Sequence, residues 1–165
     1  MGASQSIRKS YEPYIPSTAF QTKLYPNSQL MGNSTYTKMR FETDPATGDN
    51  PNFNETNSFF YAPADGAYFF EGKILWAATQ PRPTDSRIDL LFYVNGSSRD
   101  VGRHMFITDY ANTYFFQSRA FGIFNLNQGD YVGLYLYHNM GGNRYTYEPA
   151  SPSGWSSFGG FRISE

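Results

Sequence analysis

NSFFYAPADGAYFFEGKILW, residues 57–76, is the stretch on which the reading of this chain turns. Two apolar runs flank Ala62-Pro63-Ala64-Asp65-Gly66. Asp-Gly between such runs marks a hairpin or turn, because glycine takes positive φ without a Cβ clash. Pro63 has no N–H to give to a ladder, so it belongs at the end of a strand. Beyond the turn, Tyr68, Phe70, Ile74 and Trp76 fall on even positions with Gly72 between them. A period of two puts them on one strand face and Glu71 and Lys73 on the other. A helical face would not repeat every second residue, and the density of aromatics favours a strand.

The pattern continues outward in both directions. Residues 19–24 read as a first strand stopped by Pro26-Asn27, and 36–41 as a second. Residues 44–51 form a loop with clear breakers. Their oxygen-rich side chains lack calcium-loop spacing, so a solvated turn is the reading adopted. On the other side, Ile88, Leu90, Phe92 and Val94 lead into the turn dipeptide Asn95-Gly96. Residues 113–116 and 120–126 read as two strands, with Phe124 and Leu126 sharing a face. In 131–138, Val132, Leu134 and Leu136 face one way and Tyr131, Tyr135 and Tyr137 the other. Residues 157–163 close the chain as a last strand, and no long amphipathic helix is visible. About ten short strands with regular turns predict an all-β fold, an antiparallel jelly-roll sandwich.

Composition narrows the function. At 165 residues the chain suits one domain with a real core. A net charge of -1 leaves no electrostatic footprint for nucleic acid or an acidic membrane. The absence of cysteine excludes disulfides, thiol catalysis and cysteine metal sites. No apolar run reaches the roughly 18 residues of a membrane span, and no segment reads as a secretory signal.

Four motifs in order carry a resemblance. They are Phe53-Asn54 followed by Phe60, Ala62, Pro63, Gly66, Tyr68 and Phe70; the strand ending in Asn95-Gly96; Phe124, Leu126, Gly129, Asp130 and Val132; and Phe158, Gly160 and Phe161. Over residues 18–165 the chain resembles the globular head of complement component one-q, which shares the trimeric jelly roll of the tumour necrosis factor superfamily. Ser58 departs from the glycine usual before the core phenylalanine. No collagen-like repeat precedes the head, which points away from a complement-type role.

The resemblance implies a homotrimer with one sheet of each jelly roll packed about a threefold axis. The aromatic excess, Tyr 14 and Phe 15, agrees, since aromatics are enriched at interfaces and large apolar patches are rare on monomers. Phe20, Phe59, Tyr114, Phe116, Phe158 and Phe161 are assigned to that interface. Residues 1–17 read as an extended arm without a core pattern. Met1-Gly2 with Ser6 fits the loose acylation motif, but an ordinary start is the reading adopted. Ile7, Tyr11, Tyr14 and Ile15 suit contact with a partner surface, and Arg8 and Lys9 suit acidic groups there.

No reactive constellation is legible. His104 and His138 are read as structural or surface residues, since no nucleophile motif accompanies them. No catalytic residue, metal or cofactor is expected. The expectation is a structural protein that decorates or cements a larger assembly, most simply a virus or bacteriophage capsid at the virion surface. Its arm would hold the major capsid protein or another particle protein. The alternative is an extracellular or cell-surface head that binds a host receptor or glycan. Its ligand face would be loops 81–86, 99–112 and 140–153, with Tyr145, Tyr147 and Trp155 stacking on sugar rings.

Overall fold

In a computed structural model, residues 18–25, 28–43, 50–77, 83–105, 115–148 and 155–164 are described. They form thirteen strands and no helix. In chain order these are β1 (Phe20–Leu24), β2 (Leu30–Met31), β3 (Thr37–Lys38), β4 (Phe41–Thr43), β5 (Phe53–Asn54), β6 (Phe59–Tyr61), β7 (Gly66–Trp76), β8 (Arg87–Val94), β9 (Ser97–Met105), β10 (Phe116–Leu126), β11 (Tyr131–His138), β12 (Arg144–Tyr145) and β13 (Ser157–Ser164). Four of the thirteen are two-residue strands, too short to leave a period in the sequence. β9 corrects the loop expected at 99–112: residues 99–105 are strand, paired to β8 beyond the Asn95-Gly96 turn.

One sheet has the order β10-β7-β13-β1-β4, the other β5-β6-β11-β8-β9 with β3 also paired to β11. β12 pairs β2 in a small separate ladder. All pairings are antiparallel, and the first and last long strands meet in the middle of the first sheet, Phe20 opposite Gly160.

The Asp65-Gly66 turn does not make a hairpin. β6 pairs β5 and β11, whereas β7 pairs β10 and β13, so the turn carries the chain from one sheet to the other. The backbone after Tyr61 is claimed by a distant turn instead: Ala62 N–H donates to Asp130 O at 2.8 Å and Gly129 N–H to Ala62 O at 2.8 Å. The run 36–41 also divides, because β3 joins β11 while β4 joins β1. Conversely, β10 begins at Phe116, the last residue of the strand expected at 113–116, and runs without a break through Ser118 and Arg119 along β7; residues 113 and 114 lie outside the described residues.

Local chemistry explains two turns. Asn95 (φ 50°) and Gly96 (φ 78°) take the left-handed pair of values that a tight hairpin between β8 and β9 requires. Ser58, which stands where the resemblance expects glycine, has φ 51°. Its buried hydroxyl accepts the Phe41 N–H at 3.0 Å, a bond that offsets part of the cost of a side chain in that region.

The inward faces meet in an aromatic core. Tyr68, Phe70, Ile74 and Trp76 are all buried, as their even spacing predicts, and Val132, Leu134 and Leu136 face them from β11. Gly72 completes the fit: a Cβ there would lie 2.6 Å from Leu134 Cδ1.

Candidate functional site

Among the described residues, Phe121, Ile123 and Phe161 are exposed large apolar side chains that share the outward face of the five-stranded sheet. In β10 the inward positions Ser118, Ala120 and Gly122 are small and buried, so the odd positions Arg119, Phe121 and Ile123 point to solvent. Register then defines rows across the sheet. Ile123, Phe69 and Phe161 share one row, and Phe121, Glu71, Gly159 and Gln21 the next. A third row holds Arg119, Lys73, Ser157, Lys23 and Glu42. Phe121 is 72% exposed, Ile123 62%, Ile163 49% and Phe161 40%. The Phe69 and Phe161 rings lie 5.4 Å apart between centroids. A contiguous apolar patch of this kind is uncommon on a monomer.

Half of this face is charged. Lys23 pairs with Glu42 at 3.0 Å, both about one-third exposed, a contact of little net stability. Arg119 stands directly opposite Lys73 across the β10–β7 ladder, and its Nε donates to Gln117 Oε1 at 2.8 Å. A shallow cavity of about 220 Å³ separates the two halves. It lies over Gly159 and is lined by Gln21, Phe69, Glu71, Lys73 and Phe161.

The outward face of the other sheet is also aromatic, but its rings cover one another. Tyr93 stacks on Tyr135 at 4.0 Å, Tyr36 lies 4.9 Å from Tyr137, and Phe59 lies 4.8 Å from Tyr131. The cations of Lys38 and Arg87 sit over Phe59 and Tyr137 at 4.5 and 4.9 Å. Burial pushes the Tyr93 and Tyr135 phenols up, and neighbouring tyrosines add to the shift.

These placements revise the interface assignment. Phe20 and Phe158 are corrected: both belong to the protomer's own core. Phe20 stacks on Phe60 at 4.7 Å and meets Phe158 edge-on at 5.1 Å. Their register, Phe20 opposite Gly160 and Phe158 opposite Thr22, turns both inward. Phe116 is half-buried against the same core. Phe59 lies on the opposite sheet, packed over Gly133, where a Cβ would come within 2.5 Å of its ring. Of the five that are described, only Phe161 stands on the open face; Tyr114 lies outside the described residues. So do the arm residues Ile7, Arg8, Lys9, Tyr11, Tyr14 and Ile15, and most of the loop weighed for calcium. Phe69, Phe121, Ile123 and Ile163 are additions to the site. The alternation of Phe121 and Ile123 with small residues was the signal for them.

Tyr145, Tyr147 and Trp155 are all exposed. Tyr147 stacks on Phe115 at 5.1 Å, and the Glu148 carboxylate accepts the Trp155 and Ser156 N–H groups at 2.9 and 2.6 Å. Tyr147 and Trp155 are thereby held at one end of the sheet, while Tyr145 projects from β12.

His138 is buried on the inner side of β11, edge-on to Trp76 at 5.9 Å. Met140 N–H donates to its Nδ1 at 3.3 Å, so Nε2 carries the proton and faces Met31 O at 3.2 Å. Burial holds its pKa below the ordinary value of 6.5; the Met31 carbonyl opposes this and Arg144 adds to it. Stability linked to His138 is therefore complete above pH 6.5 and falls as pH drops from there towards the lowered folded value. The expected slope approaches about 1.4 kcal/mol per pH unit while only the unfolded chain is protonated. Melting curves across this range should slope less for His138→Gln; equal slopes would exclude His138 as the titrating group.

Two stacked antiparallel sheets, with β1 and β13 paired inside one of them, define a jelly roll of the tumour necrosis factor and complement one-q type. Solved structures agree. Eiger TNF from S. frugiperda superposes with a TM-score of 0.61 at 10% identity, over 89% of this chain and 92% of that one. The globular domain of zebrafish complement 1qA gives 0.58 at 15% identity, over 92% and 99%. Murine APRIL gives 0.53 at 11%, over 88% and 98%. At these identities the likeness is one of fold. No protein-family profile and no curated protein matches the chain.

Proposed function

We propose that the chain is a non-enzymatic homotrimeric head domain that decorates or cements a larger particle. The open face of the five-stranded sheet would close on itself about a threefold axis. The observation that carries this reading is the apolar row Ile123, Phe69 and Phe161, in which Ile123 and Phe161 are exposed and Phe69 is half-buried in the described protomer. Burying apolar surface contributes about 25 cal/mol per Å², and a symmetric ring of copies buries this patch three times over. The particle is a virus or bacteriophage capsid, and residues 1–17 supply the anchor to its major or another structural protein. Proline in that segment lowers the ordering cost of docking.

Deleting residues 2–17 tests both halves of the reading. The truncated head is expected to remain trimeric by light scattering coupled to size exclusion, and to lose co-sedimentation with the parent particle. A monomer at micromolar concentration would sink the trimer, and full occupancy of the particle by the truncated head would sink the anchor. A second reading, an extracellular receptor- or glycan-binding head, draws on the exposed rings of Tyr145, Tyr147 and Trp155. A glycan array separates the two.

A further inference from the structure

We propose that in the assembled ring the Phe121 side chain of each copy fills the cavity over Gly159 of the next copy. This deepens the trimeric reading above and rests on it. The cavity and the side chain are complementary in size: about 220 Å³ is open over Gly159, and a cavity of about 150 Å³ already holds benzene. The glycine is what creates the space. Phe69 and Phe161 wall one side of it with aromatic carbon, while Lys73 and Glu71 border the other. Phe121 is the most exposed large apolar side chain among the described residues, so its own protomer does not shelter it.

Register supplies the second argument. Phe121, Glu71, Gly159 and Gln21 occupy one row across β10, β7, β13 and β1. Rotation about an axis running along the strands moves a residue to another copy without changing its height. A knob must then find its socket in its own row, and Phe121 and Gly159 meet that condition. The same rotation brings Ile123 to the row of the next copy's Phe161, apolar against apolar. It also brings Arg119 to the row of the next copy's Ser157, a row in which Ser157 lies between Lys73 and Lys23 and which ends in Glu42. If each copy gives its knob to the next and receives one from the copy before, the contact is heterologous, the kind that closes into rings.

The chain has no cysteine, so introduced pairs report cleanly. Within one protomer β10 and β1 are three strand steps apart, roughly 14 Å. A disulfide needs Cα atoms within about 7 Å. The double variant Phe121→Cys with Gln21→Cys can therefore bridge only between copies. Both positions are exposed, so the core is untouched. Under a mild oxidant the double variant is expected to run as a covalent trimer on a non-reducing denaturing gel, and each single variant as a monomer. A wild-type trimer by light scattering with no cross-link in the double variant would overturn the knob-and-socket contact and leave the trimer standing. Cross-linking of the Phe121→Cys single variant would place Phe121 against itself and overturn it too. A monomeric wild type would overturn the trimeric reading and this contact with it. As an independent readout, Phe121→Ala should shift the trimer towards monomer at least tenfold in concentration, with an unchanged circular dichroism spectrum; undiminished association would count against the contact.

Discussion

Phe70→Ala is expected to destabilise the protein by about 3–5 kcal/mol, the range for truncating a fully buried phenylalanine. At roughly 2–4 °C per kcal/mol for a chain of this size, the melting midpoint should fall by about 6–20 °C. The reason lies in what surrounds the ring. Phe20, Phe60, Tyr68, Phe92, Phe124 and Phe158 all place their centroids between 5.4 and 6.3 Å from it. These neighbours come from both sheets, so no single strand can relax to fill the space that alanine would leave. Thermal melts followed by near-ultraviolet circular dichroism would measure both the midpoint and the loss of aromatic packing. A midpoint equal to wild type would mean that β7 presents its odd residues to the core, since a one-residue slip exchanges the two faces.

Gly160→Ala should cost about 3 kcal/mol, the upper end of what overpacking exacts. Gly160 lies between Phe20 on β1 and Phe70 on β7 in the ladder. A Cβ at this position would stand 2.5 Å from the Phe69 carbonyl oxygen and 2.7 Å from Phe70 Cδ1. The first obstacle is backbone in a paired strand, and the second is the ring held by the core just described. Relief requires β13 to move away from β7, which loosens the centre of the sheet. Gly32→Ala is the control, because its nearest neighbour atoms would lie 3.5 Å away, at ordinary contact distance. Its midpoint should stay near that of wild type. Equal melting of the two variants would show that the β13–β7 ladder tolerates separation.

Much of the fold was legible in the residues. The even positions of β7, the inward valine and leucines of β11, and the Asn95-Gly96 hairpin all follow from period two and from the φ values that asparagine and glycine accept. The jelly roll itself followed from the ordered motifs, whose Gly160 and Phe70 turn out to meet in one place in the core. The site was less legible. Phe20 and Phe158 read as interface residues because an apolar side chain at a strand position looks the same whether it faces its own core or another copy.

What the sequence determined by itself was local: which residues extend, where the chain turns, and which residues of a strand share a face. Those properties depend on neighbours one or two positions away. Tertiary structure alone decided which sheet each strand joined and which of two apolar faces turned inward. β6 and β7 flank one Asp-Gly turn yet belong to different sheets, because the backbone partners of Ala62 come from Gly129 and Asp130. Phe121 and Ile123 are left outside because β10 lies along β7 with its small residues inward, beneath a core already filled by larger rings. Pairing of β1 with β13 joins residues more than a hundred positions apart, and no local pattern encodes a hydrogen-bond partner at that separation.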